Sequence, residues 1–252
     1  MNLFVLFFAC LGVLVGSFLN VVVLRLGAKG KGGRSLCLAC GKTLRWYELI
    51  PIASFVYLRG RCRGCGTRIS PQYPLVELLT GLVFAAVWWK ESLSLPLLFS
   101  LILWSLLIVI AVYDLRHKII PDVVVSAAIF LSLLHLLYTY FVLHTASPLD
   151  FWGGLLIPLP FALIWFATGG RAMGLGDAKL LVIFSWYLGF AHGLSALVLG
   201  FWFGAAVALL LLSLRLKRIT MKTELPLAPF LIFGLLVVYL TGVDVTGLTL
   251  LL

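Results

Sequence analysis

"LPLLFSLILWSLLIVIAVYDLRHKIIPD", residues 95–122, places nineteen residues without a formal charge ahead of Asp114. Such a run falls within the roughly 17–25 residues that cross a hydrocarbon core about 30 Å thick. A carboxylate is costly near lipid, roughly 2.5–3.5 kcal/mol at a span centre on insertion scales, so its place at the end of this run asks for a reason. Outward from here the same apolar pattern recurs. The chain has 252 residues, 63% hydrophobic and 11% charged, with a mean hydropathy of +1.15. A soluble domain would be about 45–50% apolar and about 25% charged. The sequence therefore predicts an all-α polytopic membrane protein with about eight transmembrane helices, over 2–24, 73–89, 95–113, 122–143, 151–168, 177–191, 193–214 and 227–247. The first run lacks a basic n-region and a small-residue cleavage site, so it reads as an anchor and not a signal peptide.

The formal net charge of +10 is a topology signal before it is anything else. With the N-terminus outside, the inside segments 25–70, 114–121, 169–179 and 215–226 hold all of the Lys and Arg except Lys90. This agrees with the excess of basic residues in cytoplasmic loops and points away from nucleic acid as a partner. The expected organisation is a first transmembrane helix over 1–24, a cytoplasmic insert over 25–72, and a helical membrane domain over 73–252. The insert opens with "RLGAKGKGGR", whose glycines suggest a flexible lead-in. No strand precedes it and no GK[ST] follows, which argues against a phosphate-binding loop.

Four of the five cysteines lie in the insert, as "CLAC" (37–40) and "CRGC" (62–65). Two C-x₂-C hooks at this separation can give four thiolates to one tetrahedral zinc. Gly41 and Gly66 follow the hooks, where tight turns would need them. Disulfides are the alternative, disfavoured on the reducing side of a membrane. Four sulfur ligands leave no open position, so zinc held by Cys37, Cys40, Cys62 and Cys65 would be structural. Cys10, within the first span, is expected to be an ordinary buried residue.

Among nine acidic residues, Asp114 ends the third span and Asp177 opens the sixth in "GLGDAK". On this topology both lie at the cytoplasmic ends of their helices, at one depth. Two such carboxylates sharing a proton can activate water and protonate a leaving amine. The structural alternatives are a helix N-terminal role for Asp177, with Gly176 making the turn, and an interfacial ion for Asp114 paired with Arg116 or Lys118. Asp122, after Pro121, reads as a first-turn acid with a supporting role at most. The four histidines are scattered, and His135 reads as a core residue. Intramembrane aspartates also mark ion pathways, so a proton-coupled transporter and a non-catalytic zinc-bearing scaffold are the competing functional classes.

Seven blocks in order carry a resemblance: "GSFLNVVVLRL" (16–26), the double CxxC, "LRWYELIPIASFVYLRGRCRGCG" (44–66), "ISPQYPLVELLTG" (69–81), "DLRHKIIPD" (114–122), "GLGDAKL" (174–180) and "LPLAPFLIFG" (225–234). Through them the chain resembles the bacterial type IV prepilin peptidases, bifunctional leader peptidase/N-methyltransferases of the GxGD class of intramembrane aspartic proteases. The resemblance implies that Asp114 and Asp177 are the catalytic pair, with Gly174 and Gly176 as the motif's glycines. It also implies type IV prepilins or pseudopilins as substrates, residence in the bacterial inner membrane, and S-adenosylmethionine as methyl donor. No residues can be placed against that donor. Leu38 stands where the family often has proline, Glu48 where it often has Asp, and Gln72 where a basic residue is common. In "ELPLAPFL", Pro226 and Pro229 either keep the chain from forming a regular helix, leaving carbonyls for a substrate strand, or simply initiate the last span. Lys179 cannot share the helical face of Asp177 and is expected to raise the local positive potential or to meet lipid phosphates.

Overall fold

A computed structural model describes residues 2–26, 33–171, 173–214 and 225–248, and these residues form helices joined by short connections. The lead-in over 27–32 and most of the basic stretch 215–226 lie outside the described residues. The chain divides into two compact units, 1–109 and 110–252.

In the first unit, α1 (Asn2–Arg25) packs along α3 (Gln72–Glu91). Small residues let the two backbones approach closely, the usual device where lipid offers no hydrophobic drive for helix association. A Cβ on Gly12 would stand 2.6 Å from the Thr80 carbonyl oxygen, and one on Gly16 would stand 2.8 Å from Glu77 Cα. Asn20, buried at the same seam, donates to the carbonyls of Gly16 (3.2 Å) and Tyr73 (3.1 Å). At the other end, Trp88 stacks on Phe8 with centroids 4.6 Å apart. Between α1 and α3 the insert carries a 3₁₀ turn, Trp46–Leu49, and the short α2 (Ala53–Tyr57).

The helix α4 (Leu95–His117) crosses the division between units, with Asp114 in the second. The second unit continues with α5 (Asp122–Phe141), α6 (Pro148–Leu156), α7 (Leu159–Thr168), α8 (Leu175–Leu188), α9 (Phe190–Ser213) and α10 (Ala228–Thr241). Helix α8 is the centre, packed by α5, α6, α7, α9 and α10, with Leu180, Leu181, Ile183 and Phe184 fully buried.

Each expected span finds helix, but five helical stretches among the described residues are long and apolar enough to cross a membrane: Leu3–Arg25, Leu95–His117, Asp122–Phe141, Pro148–Thr168 and Phe190–Ser213. The other three differ for local reasons. Glu77, Lys90 and Glu91 lower the hydropathy of α3, while α8 and α10 have 14 residues each. The stretch expected as one helix over 151–168 is two, interrupted between Leu156 and Leu159 at Pro158, which has no N–H to continue the ladder. The break expected near 192 falls at Gly189, whose φ of +84 suits glycine. There Asp150 Oδ1 accepts the Phe190 N–H at 2.7 Å and so satisfies the start of α9. Cys10, expected to be buried, is exposed on α1. His135 is half-buried, its ring 5.1 Å from that of Tyr187.

Candidate active site and metal centre

Each cysteine hook closes on itself by the same pair of backbone bonds. The Gly41 N–H donates to Cys37 O at 2.8 Å and the Gly66 N–H donates to Cys62 O at 2.9 Å, with the glycines at φ +70 and +71. The return legs match too, with the Cys37 N–H on Lys42 O (2.9 Å) and the Cys62 N–H on Thr67 O (2.8 Å). Both glycines need the left-handed region, and neither has a neighbour that a Cβ would strike, so backbone conformation alone selects them.

The folded hooks gather the four sulfurs within 4.8 Å of one another. Tetrahedral zinc with Zn–S near 2.3 Å sets its sulfurs about 3.8 Å apart. Cys37 Sγ and Cys65 Sγ are 3.8 Å apart, and all four thiols are free of disulfides. Electrostatics agrees with a cation site. The side chain and backbone of Thr67 draw the Cys65 thiol down to about 6. The Lys42 amide favours the Cys40 thiolate, but the sulfurs of Cys37 and Cys65 outweigh it and push that thiol up to about 11. Four thiolates this close need a positive centre, and the donor set fits one metal ion.

Glu48 braces this structure. Its Oε2 accepts the Arg45 N–H at 2.8 Å and its Oε1 holds Lys42 Nζ at 3.0 Å. The Arg45 amide, then Lys42, keep this carboxyl below the usual carboxylate range. A second carboxylate ties the insert to the membrane helix: Glu77 Oε2 accepts the Ile52 N–H at 2.7 Å.

In the second unit Asp114 occupies the last turn of α4 and is 5% exposed. Its Oδ2 accepts the Ala228 N–H at 3.2 Å. That amide belongs to the first residue of α10 and would otherwise be an orphan donor, so Asp114 caps a helix far away in sequence. Asp177 stands at the third position of α8, half-buried and within electrostatic reach of Asp114. A carboxylate is also favoured there by the dipole of α8.

The turn that follows Asp114 is pressed onto the first turn of α8. A Cβ on Gly176 would stand 2.9 Å from Ile120 Cβ, so glycine is required by proximity. A Cβ on Gly174 would meet Asp177 Oδ2 at an ordinary 3.7 Å. Lys179 Nζ donates to Asp122 Oδ1 at 2.6 Å, which joins two residues that the sequence left apart. Pro229 is the second residue of α10, in keeping with a proline-initiated helix, whereas Pro226 precedes the helix. Sequence reasoning missed Ala228 and Ile120. The only trace of the first was a small residue between two prolines, and the second carried no signal.

The Bacterial Peptidase A24 N-terminal domain matches residues 10–91, and the Type IV leader peptidase family matches residues 101–209. A prepilin leader peptidase/N-methyltransferase of Bacillus subtilis (strain 168) is 34% identical over 241 residues, 92% of each chain. The protein of that name from Pseudomonas aeruginosa is 31% identical over 269 residues, 96% of this chain and 92% of the relative. One from Myxococcus xanthus is 50% identical over 121 residues, 47% of this chain and 36% of the relative. No solved structure matches. Two successive domain matches and identity along nearly the whole length place this multi-pass membrane protein in the type IV leader peptidase family.

Proposed function

We propose that the chain cuts the leader from type IV prepilins or pseudopilins at the cytoplasmic face of the bacterial inner membrane, then methylates the new N-terminus. The observation that carries the peptidase reading is the packing of the turn after Asp114 onto the first turn of α8, where a Cβ on Gly176 would stand 2.9 Å from Ile120, next to Asp177. The pair works with one proton between two carboxylates. One member takes a proton from the attacking water, while the other gives its proton to the scissile carbonyl. The leaving nitrogen then receives a proton from the member that took one, and the other member recovers its proton from a hydroxyl of the tetrahedral intermediate as the C–N bond breaks.

The Ala228 amide orients Asp114, and Ile120 with the Asp122–Lys179 pair steadies the turn beside Asp177. Zinc on Cys37, Cys40, Cys62 and Cys65 orders the insert and takes no part in hydrolysis, since its ligand set is closed. S-adenosylmethionine supplies the methyl group when bound, and the geometry assigns it no residues.

In this reading the N-terminus lies outside and residues 25–72 face the cytosol, as the basic residues require. Cysteines introduced at Ser94 and at Gly33 should label from opposite sides of the membrane. Labelling of both from outside would overturn the arrangement. The direct test of function is the purified full chain in lipid with a prepilin. Removal of the leader supports the proposal, and an intact prepilin beside well-folded protein refutes it.

A further inference from the structure

The insert carries apolar surface that neither the metal site nor the dyad uses. Trp46 is 76% exposed and Tyr57 83%, and Leu49, Ile50 and Val56 are exposed between them. Five exposed apolar side chains within twelve residues need a reason, as does Leu38 of the first hook, 77% exposed.

Their depth supplies one. The Ile52 N–H is held by Glu77, a residue of α3 whose Cα lies against Gly16 of α1. Helix α1 runs nine residues beyond Gly16, to Arg25. At 1.5 Å per residue that is about 14 Å. The Glu77 side chain leans toward the start of α3, as side chains on helices do, and recovers only part of this length. Residues 50–57 are thus tethered below the end of α1, at the level where its apolar sequence is still in lipid or headgroups. Trp and Tyr favour that layer because each ring has an apolar body and a polar edge.

Charge selects the lipid. Residues 33–71 contain seven Lys and Arg and one acid, Glu48, whose two oxygens are already held by the Arg45 amide and Lys42. Four thiolates with a divalent ion would subtract two charges and still leave the insert positive. Arg45 and Arg63 both donate to the Tyr47 hydroxyl, at 3.1 and 3.2 Å, which gathers two guanidinium groups beside Trp46. Arg59, in the turn after α2, is exposed.

We propose that residues 46–57 are an interfacial wedge that seats the insert in the leaflet, with Arg45, Arg59 and Arg63 on the phosphates of anionic lipids. Basic residues close to an anionic surface each add a favourable increment that salt screens. The wedge would hold the insert flat against the membrane.

The test uses the full chain in nanodiscs whose lipids are brominated high in the acyl chain. The Trp46 contribution is the difference in emission between the chain and its Trp46→Phe variant. With about 30% phosphatidylglycerol that contribution should fall by roughly half on bromination, as expected for an indole at the headgroup boundary. In neutral phosphatidylcholine discs, and in phosphatidylglycerol discs carrying the Arg59→Gln, Arg63→Gln double variant, the loss should be clearly smaller. Tyr57→Trp in the Trp46→Phe background gives a second reporter, which should behave alike. No quenching of either reporter, or equal quenching in neutral and anionic discs, would overturn the proposal. Leader cleavage is not the readout, so a chain that cuts prepilin and shows no quenching loses the wedge and keeps its peptidase reading.

Discussion

The metal site and the carboxylate pair solve the same problem at different ranges. The knuckles bring four ligands together with hooks of four residues and two glycine turns, every bond within 33–71. The carboxylates are placed by contacts far apart in sequence, Asp114 on the Ala228 amide of α10 and Ile120 against Gly176 of α8. A local site survives rearrangement elsewhere, whereas a distributed one registers every displaced helix. The comparison predicts steep, coupled losses at the dyad and self-contained losses at the knuckle.

The largest effect should come from Asp114→Asn or Asp177→Asn. Each preserves size and should lower leader cleavage by at least about a thousandfold, and the double variant should be scarcely worse than either single one, as for residues that act as a unit. Protease assays on correctly inserted protein decide the matter. A single variant that cuts at near the native rate would break the dyad reading.

Next comes the knuckle. Cys62→Ser with Cys65→Ser should reduce bound zinc from about one per chain to none, because two thiolates cannot close a tetrahedral site. Hydrogen exchange should then rise across 33–71 and stay unchanged in α8 and α9. Methylation should fall before cleavage does. Equal loosening of α8 would show that the two sites are not independent.

A smaller effect is expected at Gly176. Its Cβ would strike Ile120, so Gly176→Ala should slow cleavage several-fold by displacing α8, in the range of about 1–3 kcal/mol for overpacking. Ile120→Ala in the same chain should recover much of the loss. Gly174→Ala, with only ordinary contacts, should cost less. If Ile120→Ala gives no recovery, the glycine serves something other than this contact.

Asp122→Asn should be the mildest. The Asp122–Lys179 pair is solvent-exposed, and such pairs contribute about 0–1 kcal/mol. A change of under about threefold in cleavage rate is expected, diminishing at high salt.

The difference in range also decided what could be read without a structure. Cysteine spacing is a local quantity, so the ligand set and its glycines were legible. The places of the two aspartates at the ends of their helices were legible, because apolar runs report where helices begin and end. Their partners were not. Nothing in "LPLAPF" marks the Ala228 amide as the cap bound by Asp114, since backbone donors have no letter of their own. Hydropathy averages over Pro158 and so merged α6 with α7, although the missing N–H interrupts the ladder there. Cys10 was misjudged because an apolar residue in a span can face lipid as well as protein.

The self-sufficiency of the knuckle has a consequence for biogenesis. Both hooks, the Glu48 brace and the Glu77 tether lie within the first 91 residues, which leave the ribosome before Asp177 has been synthesised. The ribosome thus delivers the folded cysteine hooks on α1 and α3 while α8 and the helices after it are still to be translated. Metal supply would then act on an early stage of the nascent chain, and starvation for it would be felt as a fault of membrane insertion before it was felt as a fault of catalysis.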